Sequence, residues 1–392
     1  MKIVFISRCN WPSTNKKEKI KDPAADQVSK MMIEGFSLQK NIETSVVNIK
    51  CMNPWPNQGM SIYESKKSGF ESGVKIKNVP FVNIPLLNRI SVFSSLLNTL
   101  KVELNNNKSD WIICYALTLP TLAAICLAKK LFGVRLCVIV PDLPMPEYMN
   151  PSGGTVYVQL KRLDVKIQKL FYKYIDRWVY FSKQMNEFFN CDENKFIVME
   201  GMVRKSSKHD ELKKNTTNSP KIICYTGGVS YFNRIPDFVN KFMQIKGDYI
   251  LQIIGSGDAE KYIKKMALKD PRIIVLGQMK HDKVIKYQKN ADLLINPRQC
   301  DDFTKYSFPS KTLEYLKSGK PVLMHKLPGI PCEYDDYLNY YSGNDLEQII
   351  EYIFTNYEEI LNKAIQGRKF VLENKNNEYQ MRKICNFLES EM

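Results

Sequence analysis

The sequence predicts an α/β protein made of two successive halves, each a doubly wound, mainly parallel sheet. Three observations carry that expectation. Short apolar runs alternate with segments of helical periodicity along most of the chain, and the alternation stops and restarts around Arg204 to Pro220 (RKSSKHDELKKNTTNSP), which is polar and turn-rich. A length of 392 residues, with 44% hydrophobic and 25% charged content, is enough for two full cores.

In the first half, KIVFIS is a buried strand, followed by a helix through Ala25 to Gln39 and a strand TSVVNIK. Cys51 to about Val79 reads as a long irregular stretch, and a helix follows near Val92 to Asn105. Trp111 to Ala128 runs eighteen residues without a charge, which raises the question of a membrane span. Pro120 breaks it. A buried strand WIICYA, a turn and a helix TLAAICLAKKLFG also account for the next strand, VRLCVIV. A basic helix and the strands RWVYFS and KFIVME complete the half, and strands separated by helices argue for a parallel sheet covered on both faces.

The second half restarts with KIICYTGG, then a helix from Ile235, strand YILQIIGSG, a helix to Leu268, strand RIIVLGQ and helix KHDKVIKYQKN. Asp292 to Asn296 (DLLIN) is a buried strand that runs into a polar, basic loop, a Ser-Phe-Pro-Ser helix opening, a helix carrying Glu314, a Ser-Gly stop and the strand PVLM. From Asp345 the tail is helical. The expected boundaries are residues 1–203, a linker at 204–220, a second domain at 221–374 and a closing helix within 375–392. Gly227, Gly228 and Gly255 stand at strand ends, where glycine lets backbone approach a ligand closely and is equally a common strand-to-helix turn.

Ten cysteines show no C-x-x-C pair and several lie inside apolar strands, so they read as reduced core residues rather than a disulfide frame or zinc site. Only three histidines exist, none spaced with cysteine or carboxylate as a metal cluster, so neither metal nor other cofactor is expected. The first strand ends at Ser7-Arg8 with no sustained apolar core or cleavage site, which argues against a secretory signal and for a cytoplasmic protein. The net charge of +16 calls for an anionic partner. Leu160, Leu163, Ile167, Leu170 and Tyr174 recur at helical spacing while Lys161, Arg162, Lys166, Lys169 and Lys173 gather on a different face. Such a helix suits an anionic membrane surface, and it also suits a core-packed helix with a solvated basic face. Lys16, Lys17, Lys19 and Lys21 form a second basic group after the first strand, at the sheet end expected to carry the active cleft. Nucleic acid has only net charge behind it, since no helix-turn-helix, zinc-finger or RNP-like signature is present.

Ile295 to Pro331 (INPRQCDDFTKYSFPSKTLEYLKSGKPVLMHKLPGIP) says most about chemistry. A strand ending at a helix N-terminus presents free N–H groups and the positive end of the helix dipole to an anion. Pro309 is expected in the first helical turn, where its missing N–H costs nothing, with the Ser307 hydroxyl able to cap. Arg298, Lys305 and Lys311 crowd the same mouth and would bind a diphosphate through charge-assisted hydrogen bonds, and Glu314, one turn in, would accept from vicinal hydroxyls such as those of a ribose. An ordinary strand-loop-helix with solvated basic residues has the same local pattern.

This segment resembles the donor-site region of GT-B glycosyltransferases of family 4, most closely the bacterial capsule and exopolysaccharide members that carry NPR, YSFPSK, EYL-x-SGKPV and LPGIP. YTGGV, IIGSGD and VLGQM fall where that family's glycine-containing strand ends occur. The resemblance implies two Rossmann-like domains facing a cleft, with the last helix, about Glu378 to Glu389, crossing back onto the first. It matches Glu314 to the glutamate holding the donor ribose and the Ser310-Lys311 helix start to the diphosphate site. Two departures stand out. Many members have a glutamate eight residues before Glu314, where this chain has Tyr306, and a basic residue in the first loop of the domain, where this chain has Asn233 beside Arg234. Arg234 or Arg298 would supply the missing charge, with Arg298 preferred because it belongs to NPR. VPDLPMPEYM (Val140 to Met149) resembles the relatives' VPDLPEYM, so Asp142 is either a cleft carboxylate orienting an acceptor hydroxyl or a cap of the proline turn. The family often has histidine just before this Asp, where this chain has Pro141, and the loop RCNWPSTNKKEK lacks the paired glycines of many relatives. Glu200 to Met202 (EGM) matches a family strand end and reads as hinge-side structure.

The activity implied is retaining transfer of a sugar from a nucleotide diphosphate, UDP favoured, to a lipid-linked or surface-polysaccharide acceptor at the inner membrane face. No clear protein nucleophile is present, and by the resemblance a donor phosphate oxygen takes the acceptor proton while Tyr306 lies near the sugar. A nucleotide-sugar epimerase of the same architecture would need flanking acid/base residues, against which scarce histidine argues. A catalytically silent scaffold that binds partners or membrane is the alternative from another class, given Tyr306 and Asn233.

Overall fold

A computed structural model describes residues 1–11, 23–56, 61–63, 69–71, 73–145, 155–205 and 220–390. Two compact units are present, Met1–Met202 with Asn377–Met392, and Val203–Asn376. Of the expected linker, residues 206–219 lie outside the described residues, as do Lys16, Lys17, Lys19 and Lys21 and the 146–149 end of the VPDLPMPEYM motif.

The first unit runs β1 (Lys2–Ser7), α1 (Pro23–Ser37), β2 (Glu43–Asn48), β3 (Ile62–Tyr63), β4 (Gly69–Glu71), β5 (Val74–Asn78), β6 (Phe81–Val82), α2 (Leu87–Asn106), β7 (Trp111–Tyr115), α3 (Leu119–Phe132), β8 (Arg135–Val140), α4 (Thr155–Tyr172), β9 (Arg177–Tyr180) and β10 (Phe196–Val198). Its eight-stranded sheet has the order β10-β9-β8-β7-β1-β2-β5-β4. Every pairing is parallel except β4 with β5. The irregular stretch expected from Cys51 to Val79 therefore holds a sheet member that periodicity overlooked. In β5 the apolar Val74 and Ile76 are buried and alternate with Lys75 and Lys77, a period-two signal spread over too few residues to stand out. Phe5, Trp111 and Ile113 fill the core with Met381, Ile384 and Leu388 of the last helix, and Gln380 Nε2 donates to the Gly201 carbonyl at 2.8 Å.

The second unit runs β11 (Lys221–Thr226), α5 (Ile235–Phe242), β12 (Tyr249–Ile254), α6 (Glu260–Ala267), β13 (Ile273–Gly277), α7 (His281–Asn290), β14 (Leu293–Asn296), α8 (Lys311–Ser318), β15 (Val322–Met324), β16 (Asn339–Tyr340), α9 (Leu346–Thr355) and α10 (Tyr357–Asn374). The last helix of the chain, α11 (Asn377–Glu389), belongs to the first unit. All pairs in the six-stranded sheet are parallel, in the order β13-β12-β11-β14-β15-β16. The chain leaves β11 toward β12 on one side and later returns on the other side at β14. The order thus reverses between β11 and β14, and in open α/β sheets ligands bind beyond the carboxyl ends of the strands at such a switch point.

All ten cysteines are free thiols, but not all are core residues, since Cys300 and Cys332 are exposed. Among the described residues no helix is long and apolar enough to cross a membrane, and no group of His, Cys, Asp or Glu side chains is placed to hold a metal.

One buried cation in this unit tests how the core tolerates charge. Lys320, between α8 and β15, is only 3% exposed. Burial lowers its pKa to about 8, against an opposing pull from Asp292. Because the folded pKa lies below the unfolded one, the unfolded chain holds more protons between the two values, and this lysine's cost to stability is full at low pH and fades as pH rises. Lys320→Met is expected to stabilise the protein by on the order of 2 kcal/mol at neutral pH. In urea titrations that advantage over the wild type should shrink from about pH 8 toward the usual lysine range.

Candidate active site at the carboxyl ends of the second sheet

The two strands that flank the switch point supply the site. β11 ends at Thr226 and passes into Gly227 and Gly228; β14 ends at Asn296 and passes through Pro297 to Arg298. Gly227 (φ 141°) and Gly255 (φ 140°) both hold backbone that side-chain-bearing residues rarely adopt. A Cβ on Gly255 would overlap the Gly227 carbonyl, and one on Gly227 would overlap the Lys311 ammonium. The tip of Lys311, from the start of α8, therefore lies against the end of β11. Its Nζ is 5.9 Å from the centre of the Tyr225 ring.

The loop after β11 is braced from inside. Tyr225 Oη and Asn233 Nδ2 both donate to the Gly228 carbonyl, at 2.8 and 2.9 Å. Asn233 thus holds the loop in shape. Arg234 sits at φ 57° and points its guanidinium 3.4 Å from Asp237 in an exposed pair, whereas Arg298 stacks 4.9 Å over the ring of Phe232. Arg298 acts electrostatically on Lys311. Desolvation pushes the Lys311 pKa below the usual lysine range, Glu314 opposes that shift and Arg298 adds to it. Burial raises the Tyr225 hydroxyl, with Arg298 opposing. Two cations are thus held in one partly desolvated place, an arrangement that costs the empty protein free energy and favours an anion.

Glu314 lies one turn into α8, half-buried. Its Oε1 accepts from Gln288 Nε2 at 2.7 Å, and the same Nε2 lies 2.9 Å from Thr226 Oγ1. Thr226 is in turn fixed by Tyr315, whose buried hydroxyl accepts from the Thr226 N–H at 3.0 Å. Sequence reasoning missed Gln288. The signal was available, since Val284 and Gln288 share one face of α7 at i and i+4, and a glutamine on an inward face needs a buried partner.

The helix opening differs from expectation. Pro309 is not in the first turn; α8 begins at Lys311, and the Thr312 N–H donates to the Pro309 carbonyl at 2.8 Å. Ser307 does not cap. It is buried and extended, with Oγ 3.4 Å from the Thr304 carbonyl, where it closes the short 3-10 turn Thr304–Tyr306. Ser310 holds the N-cap position, exposed and without a side-chain cap bond. The reason is local. Asp301 accepts from the N–H groups of Phe303 and Thr304 at 2.9 and 2.7 Å, so an Asx turn winds the chain before the proline. Lys305 and Tyr306 are half-buried, with the ammonium 4.7 Å from the Tyr306 ring centre. Asp142 is exposed in the bend after β8 of the first unit.

Residues 220–355 match the model of the family Glycosyl transferases group 1. The chain is a glycosyltransferase. The match covers the second unit from β11 to the end of α9 and takes in every donor-side residue described above. Among solved structures, the glycosyltransferase is similar to sucrose-phosphate synthase from Thermosynechococcus elongatus, at 12% identity and TM-score 0.67 over 98% of this chain and 97% of that one. HepE of Anabaena in complex with UDP has the same identity and TM-score over 100% of both chains. The lipopolysaccharide outer core galactosyltransferase WaaB is 16% identical, with TM-score 0.62 over 100% of both. With the two parallel-sheet units, these likenesses give the glycosyltransferase the GT-B fold. No curated protein matches the sequence.

Proposed function

We propose that this glycosyltransferase moves a sugar, with retention, from a nucleotide diphosphate to a lipid-linked or surface-polysaccharide acceptor at the inner membrane face. The observation that carries the donor half of this reading is the placement of Lys311 against Gly227 with Glu314 one turn further on. Lys311 and Arg298, with the N–H groups and Ser310 hydroxyl at the start of α8, would hold the diphosphate, and Lys305 would add charge. Glu314, oriented by Gln288, would accept from both ribose hydroxyls. UDP is favoured because HepE has been solved with UDP and with UDP-glucose.

As the glycosidic bond to the leaving phosphate breaks, negative charge grows on the diphosphate, and cations already fixed there stabilise that charge without reorganising. A donor phosphate oxygen takes the acceptor proton on the sugar's front face. Tyr306 would line the sugar, and Asp142 would orient the acceptor hydroxyl from the first unit. Family 4 and capsule or exopolysaccharide synthesis are the matching assignment.

Titration with UDP and GDP tests the reading. UDP should raise the thermal transition of the wild type, and Glu314→Ala should weaken UDP binding about 10- to 100-fold by removing a charged acceptor from two hydroxyls. Absence of nucleotide binding by the wild type would leave a catalytically silent scaffold. Binding of UDP-sugars with interconversion of the sugar and no transfer would indicate an epimerase.

A further inference from the structure

The basic helix of the first unit is inside out for a core helix. In α4, Leu160, Leu163 and Leu170 are 61%, 54% and 66% exposed, while Asp164 and Gln168 are 8% and 3% exposed. Asp164 accepts from Arg89 at 3.0 Å and from Gln168 Nε2 at 3.3 Å, whereas Gln168 Oε1 is buried without a partner among the described residues. Helix α4 therefore turns Asp164 and Gln168 inward, is tied to α2 through Arg89, packs Tyr172 against Trp178 and Phe189, and turns its leucines outward. Arg89 also ties the start of α2 to the middle of α4, and around it Leu86, Leu87 and Ile90 are exposed as well. Leu86 stands at φ 68°, a conformation that leucine rarely adopts. Strained backbone of this kind persists where surrounding structure enforces it, here on a leucine presented to solvent.

We propose that α4, with the start of α2, is a docking face for an anionic lipid bilayer. The leucines and Ile90 enter the acyl boundary while Lys166, Lys169 and Lys173 meet headgroup phosphates. Charge selects this occupant. Lys166, Lys169, Lys173 and Arg162 are exposed, and the only carboxylate of α4 is the buried Asp164. A second copy seated on this face would set lysine against lysine, and nucleic acid would leave the leucines in water. A bilayer with acidic headgroups answers both chemistries, with lysine stems lying over the apolar stripe. As a seat for a lipid-linked acceptor the face rests on the proposed function; as a lipid-binding face it stands on its own exposures.

Co-sedimentation of the full chain with vesicles decides the matter. The protein should pellet with phosphatidylcholine vesicles containing phosphatidylglycerol and, by about tenfold or more, less with pure phosphatidylcholine. Replacing Leu160, Leu163 and Leu170 together by Ser should lower binding by about tenfold or more, and Lys166→Glu, Lys169→Glu and Lys173→Glu together should do the same. Both variants should keep the wild-type circular dichroism and UDP affinity measured without vesicles, which separates this face from the donor site. Three results would overturn it. One is no binding to the acidic vesicles, and another is binding untouched by the Leu→Ser changes, which would reduce it to attraction by net charge. The third is a dimer in solution that the Leu→Ser variant dissolves.

Discussion

Gly255→Ala is expected to destabilise the second unit by more than about 3 kcal/mol, whereas Gly277→Ala should cost only about 1–2 kcal/mol. Both glycines follow or end strands of the same sheet and both have positive φ, 140° and 70°. The difference lies in what surrounds them. A Cβ on Gly277 meets nothing within 4 Å and its φ is within the left-handed region open to alanine at a price, while a Cβ on Gly255 overlaps the Gly227 backbone. The backbone there cannot move away cheaply, because the Gly227 N–H donates to the Ile254 carbonyl at 2.8 Å and the Gly255 N–H to the Gly277 carbonyl at 2.9 Å. The measurement can also locate the loss. Trp11, Trp55, Trp111 and Trp178 all lie in the first unit, so indole fluorescence follows that unit and far-ultraviolet circular dichroism follows both. Urea titration of Gly255→Ala should move the circular dichroism transition further than the fluorescence transition. Equal costs for the two substitutions would mean that the ends of β11 and β12 are not held together as described.

The donor side of the molecule was legible because its elements announce themselves over short spans. DLLIN, the Ser-Gly stop and PVLM each combine an apolar run or a turn residue with the right neighbour, and the order of strand, loop, helix and strand follows from them. Details that depend on particular side-chain bonds, near or far along the chain, did not show. Ser307 and Pro309 looked like a helix opening because their local chemistry fits one; Asp301, eight residues before Pro309, decides instead where the turn winds. Gln288 is far from Glu314 in sequence and meets it only because α7 and α8 pack together. In the first unit the apolar stripe of α4 was compatible with a core, the favoured reading, and with a lipid surface. Periodicity records that two faces differ, and it carries no sign saying which one turns inward, so the burial of Asp164 and Gln168 was invisible until Arg89 was placed.

Lys311→Met is expected to lower UDP affinity by about 100-fold or more while leaving the nucleotide-free protein as stable as the wild type or more so. The two effects have one cause. In the empty site the ammonium sits partly desolvated beside Arg298, and burial has already lowered its pKa, so a methionine of similar length removes a cost. A bound diphosphate reverses the balance by pairing the charge and raising the pKa again. Binding must then take up protons wherever the empty site is partly deprotonated, and UDP affinity should fall as pH rises through the lowered pKa of Lys311. Calorimetry in buffers of different ionisation enthalpy measures that uptake directly, at pH values above the range in which the nucleotide's own phosphate titrates. Lys311→Arg supplies the control, since a guanidinium stays charged throughout and should flatten the pH dependence even if its planar fork fits the site less well. If Lys311→Met instead destabilised the empty protein and bound UDP as tightly as the wild type, the lysine would be a structural cation, and the phosphate seat would have to lie elsewhere on this sheet.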